Sequence, residues 1–212
     1  MRQEKYRDAM EAKKYEDFVR CFEQGCTRCT LSAHNNHPVL YRGNPKAPIV
    51  LIGEAPGAKE DENGRPFSGP AGQLLDKIFN AVGLNTNQDM LLTNVVYCRP
   101  VASKFSGRQN YTPKKDQIAH CWPFAKKAIE LLEPKIVILC GRVALCSFLE
   151  KDDLKMGHWE GRWTSKDNIN VFSMLHPAAI LHQSNEPTKQ LKTKQKVWEY
   201  MQYFRDTYRE KL

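Results

Sequence analysis

Short apolar runs alternate with longer segments of helical periodicity along this chain. Four runs are almost wholly apolar and end in proline, glycine or polar residues, which is typical of buried strands: 48–52, 90–96, 135–140 and 170–175. Helical spacing of apolar residues extends over other segments: 3–23, 70–82, 115–132, the residues from the third strand up to Leu149, and 188–210. Strands that are apolar on both faces and alternate with helices predict a parallel sheet covered on both sides.

We therefore expect an α/β fold with three layers, α/β/α, around a central, mainly parallel four-stranded sheet. Residues 1–212 are long enough for a single domain with a full core. Pro123 is expected to divide the helix of 115–132 into two segments. Ligands of such sheets bind outside the carboxyl ends of the strands. This rule selects four loops as candidate sites: 53–69, 97–114, 141–142 and 176–187.

Charge and targeting signals narrow the class of protein. The net charge of +8 favours a nucleic-acid partner, and the basic residues form two clusters: Lys104, Arg108, Lys114 and Lys115, and Lys189, Lys192, Lys194 and Lys196. Each cluster taken alone is equally well interpreted as a solvated face. The N-terminal sequence lacks the apolar core of a signal peptide, and no apolar run is long enough for a membrane span. We expect a soluble, cytoplasmic protein with no membrane partner.

Three of the four loops carry residues suited to holding a nucleobase. The loop GEAPGAKEDENGRPFSG (53–69) combines glycines and carboxylates with Phe67, while Asn94 and His176 lie near the ends of two other strands. An amide offers both a donor and an acceptor to the edge of a base, and an aromatic ring can stack on its face. An imidazole can donate to an oxygen that gains negative charge. Each residue alone is more often structural, but all three lie where this fold binds ligands.

Four sequence blocks resemble one known family. The chain resembles the family-four iron–sulfur uracil-DNA glycosylases from about Cys26 to about Leu181. The first block is GEAPG with the following ED and GRPFSGPAGQLLDKI, and the other three are TNVVYCRP, PKIVILCGRVA and HPAAIL. The resemblance implies the uracil-DNA glycosylase fold. It also implies a monofunctional hydrolase that flips uracil out of DNA, cleaves its N-glycosidic bond and leaves an abasic site for base excision repair. The alternative is a glycosylase-fold module, nucleic-acid-binding or associated with a polymerase, that has a different base substrate or none.

The resemblance also assigns four of the seven cysteines to a metal centre. Cys26 and Cys29 form a CxxC pair, and Cys98 and Cys121 match the other two ligand positions. Four thiolates fit either a 4Fe–4S cluster or a structural zinc, and the family favours the cluster. We expect such a cluster to hold the N-terminal segment and the 99–120 loop in place and to take no part in the chemistry.

The resemblance likewise assigns roles around the flipped base. Phe67 would stack on uracil, Asn94 would read its O4 and N3 edge, and His176 would hydrogen-bond O2 and stabilise the departing anion. The backbone around Ala55 would form a pocket wall. Better-known relatives place an aspartate at the position of Ala55, so a water-activating base is absent from the usual place.

Other acids and an apolar pair complete the predicted site. We expect Glu60 to position the water and Glu54 to organise the pocket, whereas Asp61 and Glu62 are expected to be solvated loop charges. Ile180 and Leu181 could form the wedge that holds DNA open, or they could begin the next helix and pack inward.

The 99–120 loop and the oligomeric state are the subject of two further predictions. The basic 99–120 loop carries Phe105 and Tyr111 and could contact DNA, but it has no histidine before His120 and so no covalent trap is expected. The expected substrate is uracil-containing DNA, single- or double-stranded, bound by a monomer.

Overall fold

The computed structural model describes residues 2–23, 25–102 and 110–212. Its strands are β1 (Arg42–Gly43), β2 (Ile49–Gly53), β3 (Leu91–Asn94), β4 (Ile136–Cys140), β5 (Arg162–Lys166) and β6 (Ile169–Met174). Its α-helices are α1 (Arg2–Glu11), α2 (Tyr15–Arg20), α3 (Ala58–Asn63), α4 (Pro70–Asn80), α5 (Lys115–Leu132), α6 (Arg142–Leu149), α7 (Met156–Trp159), α8 (Pro177–Leu181) and α9 (Pro187–Thr207). The predicted alternation of strands and helices is confirmed.

One sheet contains all six strands, in the order β1-β3-β2-β4-β6-β5. The four predicted strands β2, β3, β4 and β6 form its parallel centre, and the short β1 and the polar β5 add antiparallel edges. The expected four-stranded sheet is therefore corrected to six strands. In the parallel register Gly53 lies opposite Asn94, which brings the ends of β2 and β3 together.

Two helical predictions are also corrected. The segment 3–23 forms two helices, α1 and α2, and α5 runs without interruption through Pro123. The residue after this proline, Phe124, is 3% exposed and packs edge-on against the rings of Tyr6 and Phe22. Tertiary packing of this kind overrides the low helix propensity of proline.

The core lies in two layers, one on each face of the sheet. Val50 and Ile52 belong to the layer that also contains buried residues of α1, α2, α5 and α6. Ile49 and Leu51 belong to the other layer, with residues of α4, α8 and α9. Alternate residues of one strand thus face opposite layers, which is the three-layer arrangement that the apolar strands predict.

No helix in the described ranges combines the length and the apolar character that a membrane span requires.

Candidate active site at the strand ends

A cleft of about 520 Å³ opens at the carboxyl end of the sheet. Its walls come from the 54–71 segment, the end of β3, the residues 110–112 and the start of α8. The predicted residues that line it are Glu54, Ala55, Glu60, Phe67, Asn94 and His176. Sequence reasoning placed these side chains in three separate loops, and the fold brings all six to one cleft.

Gly53 allows Asn94 and Phe67 to meet. A Cβ atom built on Gly53 would lie 2.5 Å from Asn94 Oδ1 and 2.5 Å from Phe67 Cζ. A Cβ atom does not approach non-bonded atoms this closely, so only glycine leaves room for both side chains at the end of β2. Asn94 is 2% exposed, which leaves its amide in contact with the cleft and hardly with bulk solvent.

Phe67 is held in an unusual backbone conformation. Its φ is 54°, in the left-handed region that few non-glycine residues adopt. Its carbonyl oxygen lies 1.7 Å from where a Cβ of Gly72 would be, so α4 packs directly on this turn. The ring faces His176, with 6.0 Å between ring centroids and 26° between planes. Backbone strain at such a position is sustained by the surrounding packing, and here it fixes an aromatic wall of the cleft.

His176 is the N-cap of α8. The backbone N–H of Ala178 donates to its Nδ1 at 3.2 Å. Burial, and to a smaller extent the nearby His182, lower the pKa of His176 to about 4. The imidazole is therefore neutral at pH 7, and since Nδ1 accepts a hydrogen bond, the ring proton lies on Nε2. A neutral donor of this kind can stabilise an anion without itself being protonated.

Two carboxylates, those of Glu54 and Glu60, line the cleft. The Gly69 N–H donates to Glu60 Oε1 at 2.8 Å, and a Cβ on Gly57 would lie 2.6 Å from Glu60 Oε2. Burial raises the pKa of Glu54 above its usual value. Ala55, between them in the chain, contributes no side-chain acid.

Asp61 is not a solvated loop charge. It is 6% exposed, and its carboxylate accepts hydrogen bonds from the Asn36 backbone N–H at 3.0 Å and from Asn36 Nδ2 at 3.1 Å. The expectation for Asp61 was wrong because its partner lies 25 residues earlier in the chain. Glu62 is exposed and pairs with Lys59, as a solvated charge would.

Ile180 is buried, which corrects the expectation that it is exposed for contact with DNA. It is 1% exposed and belongs to the core layer that contains α4 and α9. The next residue, Leu181, is 37% exposed. The inward-packing alternative is therefore correct for Ile180, and of these two residues Leu181 is the exposed one.

Asn110 and Tyr111 are among the residues of the cleft that the sequence did not indicate. Both line it, and the Tyr111 hydroxyl accepts a hydrogen bond from Gln117 Nε2 at 2.9 Å. Only their position in the 97–114 loop could have indicated this. Three residues that were assigned to possible DNA contacts in the same loop lie outside the described residues: Lys104, Phe105 and Arg108.

The four cysteines assigned to a metal centre line one small apolar cavity. Cys26, Cys29, Cys98 and Cys121 lie around it with Phe22 and Phe124. Burial, and then the neighbouring cysteines, raise the pKa of the Cys98 thiol, and burial raises that of Cys121 to about 12.

The Tyr97 N–H donates to the Cys121 sulfur at 3.3 Å. Among the described residues, no three His, Cys, Asp or Glu side chains are grouped so as to hold a single metal ion. Of the other cysteines, Cys140 is buried and Cys146 is half-buried.

Comparison with known proteins shows the family of the chain. The sequence model of the uracil DNA glycosylase superfamily matches residues 40–202. The chain belongs to the uracil DNA glycosylase superfamily. The match includes every residue that lines the cleft, together with Cys98 and Cys121, but it begins after Cys26 and Cys29.

Individual members of the superfamily are similar over most of the chain. A type-4 uracil-DNA glycosylase of Saccharolobus solfataricus is 35% identical over 78% of this chain and 76% of its own length. The type-4 enzyme of Sulfurisphaera tokodaii is 36% identical over 76% of this chain and 73% of its own. That of Pyrobaculum aerophilum is 31% identical over 81% of this chain and 85% of its own.

Proposed function

We propose that this chain is a uracil-DNA glycosylase, which hydrolyses the N-glycosidic bond of uracil in DNA and leaves an abasic site. The observation that carries the proposal is the neutral His176, which meets Phe67 and the Asn94 amide in one cleft. A ring to stack on, an amide to read an edge and a donor for an anion are what removal of a flipped pyrimidine requires. Its type-4 relatives carry the same name for their activity.

Asn94 supplies the base selectivity in this proposal. The amide would donate to O4 of uracil and accept from N3–H. Cytosine presents the opposite pattern at these two atoms, with a donor at N4 and an acceptor at N3. Since Asn94 is buried and confined by Gly53 and Phe67, the amide is held in position and a mismatched base would leave buried polar atoms unpaired.

His176 and the acids divide the bond-breaking chemistry. As the C1′–N1 bond breaks, its electron pair passes to uracil, and Nε2–H of His176 donates to O2 of the anion. One preorganised donor of this type stabilises a transition state by about 3 kcal/mol. Glu60 would accept a hydrogen bond from the attacking water, and Glu54 would shape the pocket beside Ala55.

We propose that the four cysteines hold a 4Fe–4S cluster and not a single zinc ion, as the resemblance to the family-four enzymes implies. A tetrahedral zinc site draws four sulfurs to about 2.3 Å from one point. A cubane holds its four cysteines farther apart, on separate iron atoms. Four thiols that surround a common apolar cavity, one of them accepting an N–H···S hydrogen bond, are compatible with such a cluster. Such a cluster would supply structural cross-links between the N-terminal segment, the end of β3 and α5.

DNA would approach the cleft as a substrate of a monomeric enzyme. The exposed Leu181 lies one turn from His176 and is the residue we propose as the wedge beside the flipped base. The net charge of +8 favours contact with phosphates.

The test is uracil release from an oligonucleotide that contains one labelled uracil, in single- and double-stranded form. Release by the parent protein with its cysteine site loaded, and a loss of at least about 100-fold in His176→Ala and Asn94→Ala, would support the proposal. A protein with intact folding that releases uracil from neither form would refute it.

A further inference from the structure

Arg28 lies between two of the cysteines assigned to the metal centre. It precedes Cys29 in the CxxC pair that begins at Cys26, and its side chain lines the apolar cavity that the four cysteines surround. The guanidinium carbon lies 3.8 Å from the centroid of the Tyr6 ring and 6.0 Å from that of Phe124. Because a cation is attracted to the face of an aromatic ring, α1 and α5 hold this side chain beside the cysteines.

One polar atom of this side chain has no hydrogen-bond partner. Arg28 Nε is buried, and no atom of the described residues accepts its hydrogen. The other unpaired buried side-chain atoms in the described part of the chain belong to Asn35, Arg42, Trp122 and Ser173, and none of these residues lines the cysteine cavity. A buried donor without an acceptor destabilises a fold, and native proteins keep few of them. The Arg28 N–H therefore points to an acceptor that is bound beside it.

The proposed cluster offers acceptors of the right kind. Its ligands are thiolates, and hydrogen bonds to the sulfurs of an iron–sulfur centre are one of the factors that set its reduction potential. One such donor is already present, since the Tyr97 N–H lies 3.3 Å from the Cys121 sulfur. Arg28 would add a second N–H and a positive charge, which offsets part of the negative charge of four thiolates.

We infer that Arg28 donates its Nε–H to the iron–sulfur centre and that Tyr6 positions the guanidinium for this contact. The inference rests on the proposed cluster and adds to it a residue that is not a ligand of the metal. A donor and a cation both stabilise the more negative, reduced form of the centre. Arg28 thus retains the cluster and raises its reduction potential, and no electron transfer during uracil removal is implied.

The same segment is connected to the uracil cleft. Thr30 follows Cys29 directly, and its Oγ1 accepts a hydrogen bond from Gln117 Nε2 at 3.2 Å. Gln117 Nε2 also donates to the Tyr111 hydroxyl at 2.9 Å, and Tyr111 lines the cleft. Loss of the cluster would therefore free one anchor of the cleft wall.

Two neutral substitutions isolate the hydrogen bond from the charge. In arginine and glutamine the atom after Cδ is a nitrogen that carries hydrogen, whereas methionine has a methyl carbon at the same position along the side chain. Arg28→Gln thus keeps a donor at this point and Arg28→Met does not, although both lose the charge. The matched controls are Arg20→Gln and Arg20→Met, because Arg20 is exposed, pairs with Asp17 and does not line the cavity.

Each protein is purified with its metal and characterised in the loaded form. The measurements are iron content, the rate at which a chelator bleaches the absorbance of the cluster, the midpoint potential of one-electron reduction by a chemical reductant, and thermal unfolding. We expect Arg28→Met to bleach about fivefold faster than Arg28→Gln, as for the loss of one neutral hydrogen bond. Its midpoint potential should be lower by about 40 mV, which is the same fivefold change at about 59 mV per factor of ten.

The remaining variants test the charge and the position of the guanidinium. The parent should bleach most slowly, because it keeps both the donor and the charge. The two Arg20 variants should match the parent in bleaching rate and in potential. Tyr6→Leu should bleach at a rate between those of the parent and Arg28→Met, because it removes the aromatic face on which the guanidinium rests.

The outcomes separate this inference from the proposals on which it rests. A parent that contains zinc and no iron overturns the cluster and this inference together. A parent that contains iron but releases no uracil refutes the glycosylase function and leaves the role of Arg28 in place. Equal bleaching rates and equal potentials in Arg28→Gln and Arg28→Met overturn the inference alone. Faster bleaching of Arg28→Met at an unchanged potential assigns Arg28 to packing and likewise overturns it.

Discussion

The substitution His176→Asn separates the observed capping role of His176 from its proposed role in catalysis. The histidine caps α8 by accepting a hydrogen bond from the Ala178 N–H at Nδ1, and its Nε2–H can donate to a group bound in the cleft. Asparagine is among the best N-cap residues, so its side-chain oxygen can replace Nδ1 as the cap acceptor. The substitution therefore removes the donor for uracil O2 while α8 keeps its first hydrogen bond.

The expected size of the effect follows from the neutral ring. Loss of one preorganised donor costs about 3 kcal/mol of transition-state stabilisation, or a decrease in rate of about 100-fold to 1,000-fold. Since burial lowers the pKa of His176 to about 4, the ring stays neutral between pH 8 and pH 5. The parent rate should show no titration of this group near pH 6.5 and should fall only as the pH approaches 4.

The same lowered pKa makes folding stability depend on pH. In the unfolded chain histidine has a pKa of about 6.5, so the unfolded state binds the proton more readily than the folded state. The contribution of His176 is complete above pH 6.5 and is lost as the pH falls towards 4. A difference of about 2.5 pKa units corresponds to about 3 kcal/mol of unfolding free energy over that range.

Two assays check this reasoning. Single-turnover uracil release is measured from pH 5 to pH 8 for the parent and His176→Asn, and urea unfolding is measured for both at pH 7.5 and pH 4.5. Other groups titrate equally in the two proteins, so the parent should lose about 2 kcal/mol more stability than the variant at the lower pH. A parent rate that titrates near pH 6.5, or equal losses of stability, would show that the ring is not buried and neutral.

Three further predictions concern the rest of the site. Gly53→Ala should abolish most activity with a smaller effect on folding, because its methyl group would lie 2.5 Å from Asn94 Oδ1; uracil release and thermal unfolding measure the two effects. The proposed cluster predicts that the purified parent contains iron and is brown and that Cys98→Ala loses both, whereas a parent that contains zinc and no iron would contradict the cluster. Leu181→Ala should slow uracil release from double-stranded DNA more than from single-stranded DNA. Ile180→Ala should instead lower the free energy of unfolding, measured in urea, by about 2–5 kcal/mol.

The parallel centre of the sheet was predictable because its strands are continuous apolar runs. All residues of β2, β3 and β4 are buried, so composition alone marks them. The edges carry no such signal: β1 has two residues, and β5 is the polar, half-exposed RWTSK. Edge strands face solvent on one side, and their pairing is decided by the neighbouring strand.

The site was predictable where a residue's place in a strand determines its surroundings. Asn94 ends β3 and His176 follows β6, so the sheet carries both to one edge. The burial of Asp61 depends instead on hydrogen bonds from Asn36, and the position of Asn110 depends on one from Arg99. The pattern of apolar and polar residues does not predict such contacts, because tertiary hydrogen bonds determine where a loop backbone lies.

The glycines of the 53–69 loop are explained by space more than by turn geometry. Only Gly64, at φ 73°, needs the left-handed region, and Gly57 and Gly69 have φ of −88° and −82°. A Cβ on Gly57 would lie 2.6 Å from Glu60 Oε2, and one on Gly69 would lie 3.0 Å from Glu60 Oε1.

Both oxygens of the Glu60 carboxylate therefore occupy space that a side chain at Gly57 or Gly69 would take. Gly53 makes the same kind of room for Asn94 and Phe67. The glycines of this loop thus lie where side chains proposed to contact base and water come within van der Waals distance of the backbone. An alanine at Gly57 should therefore impair catalysis more than one at Gly64, even though the backbone angles alone argue the reverse.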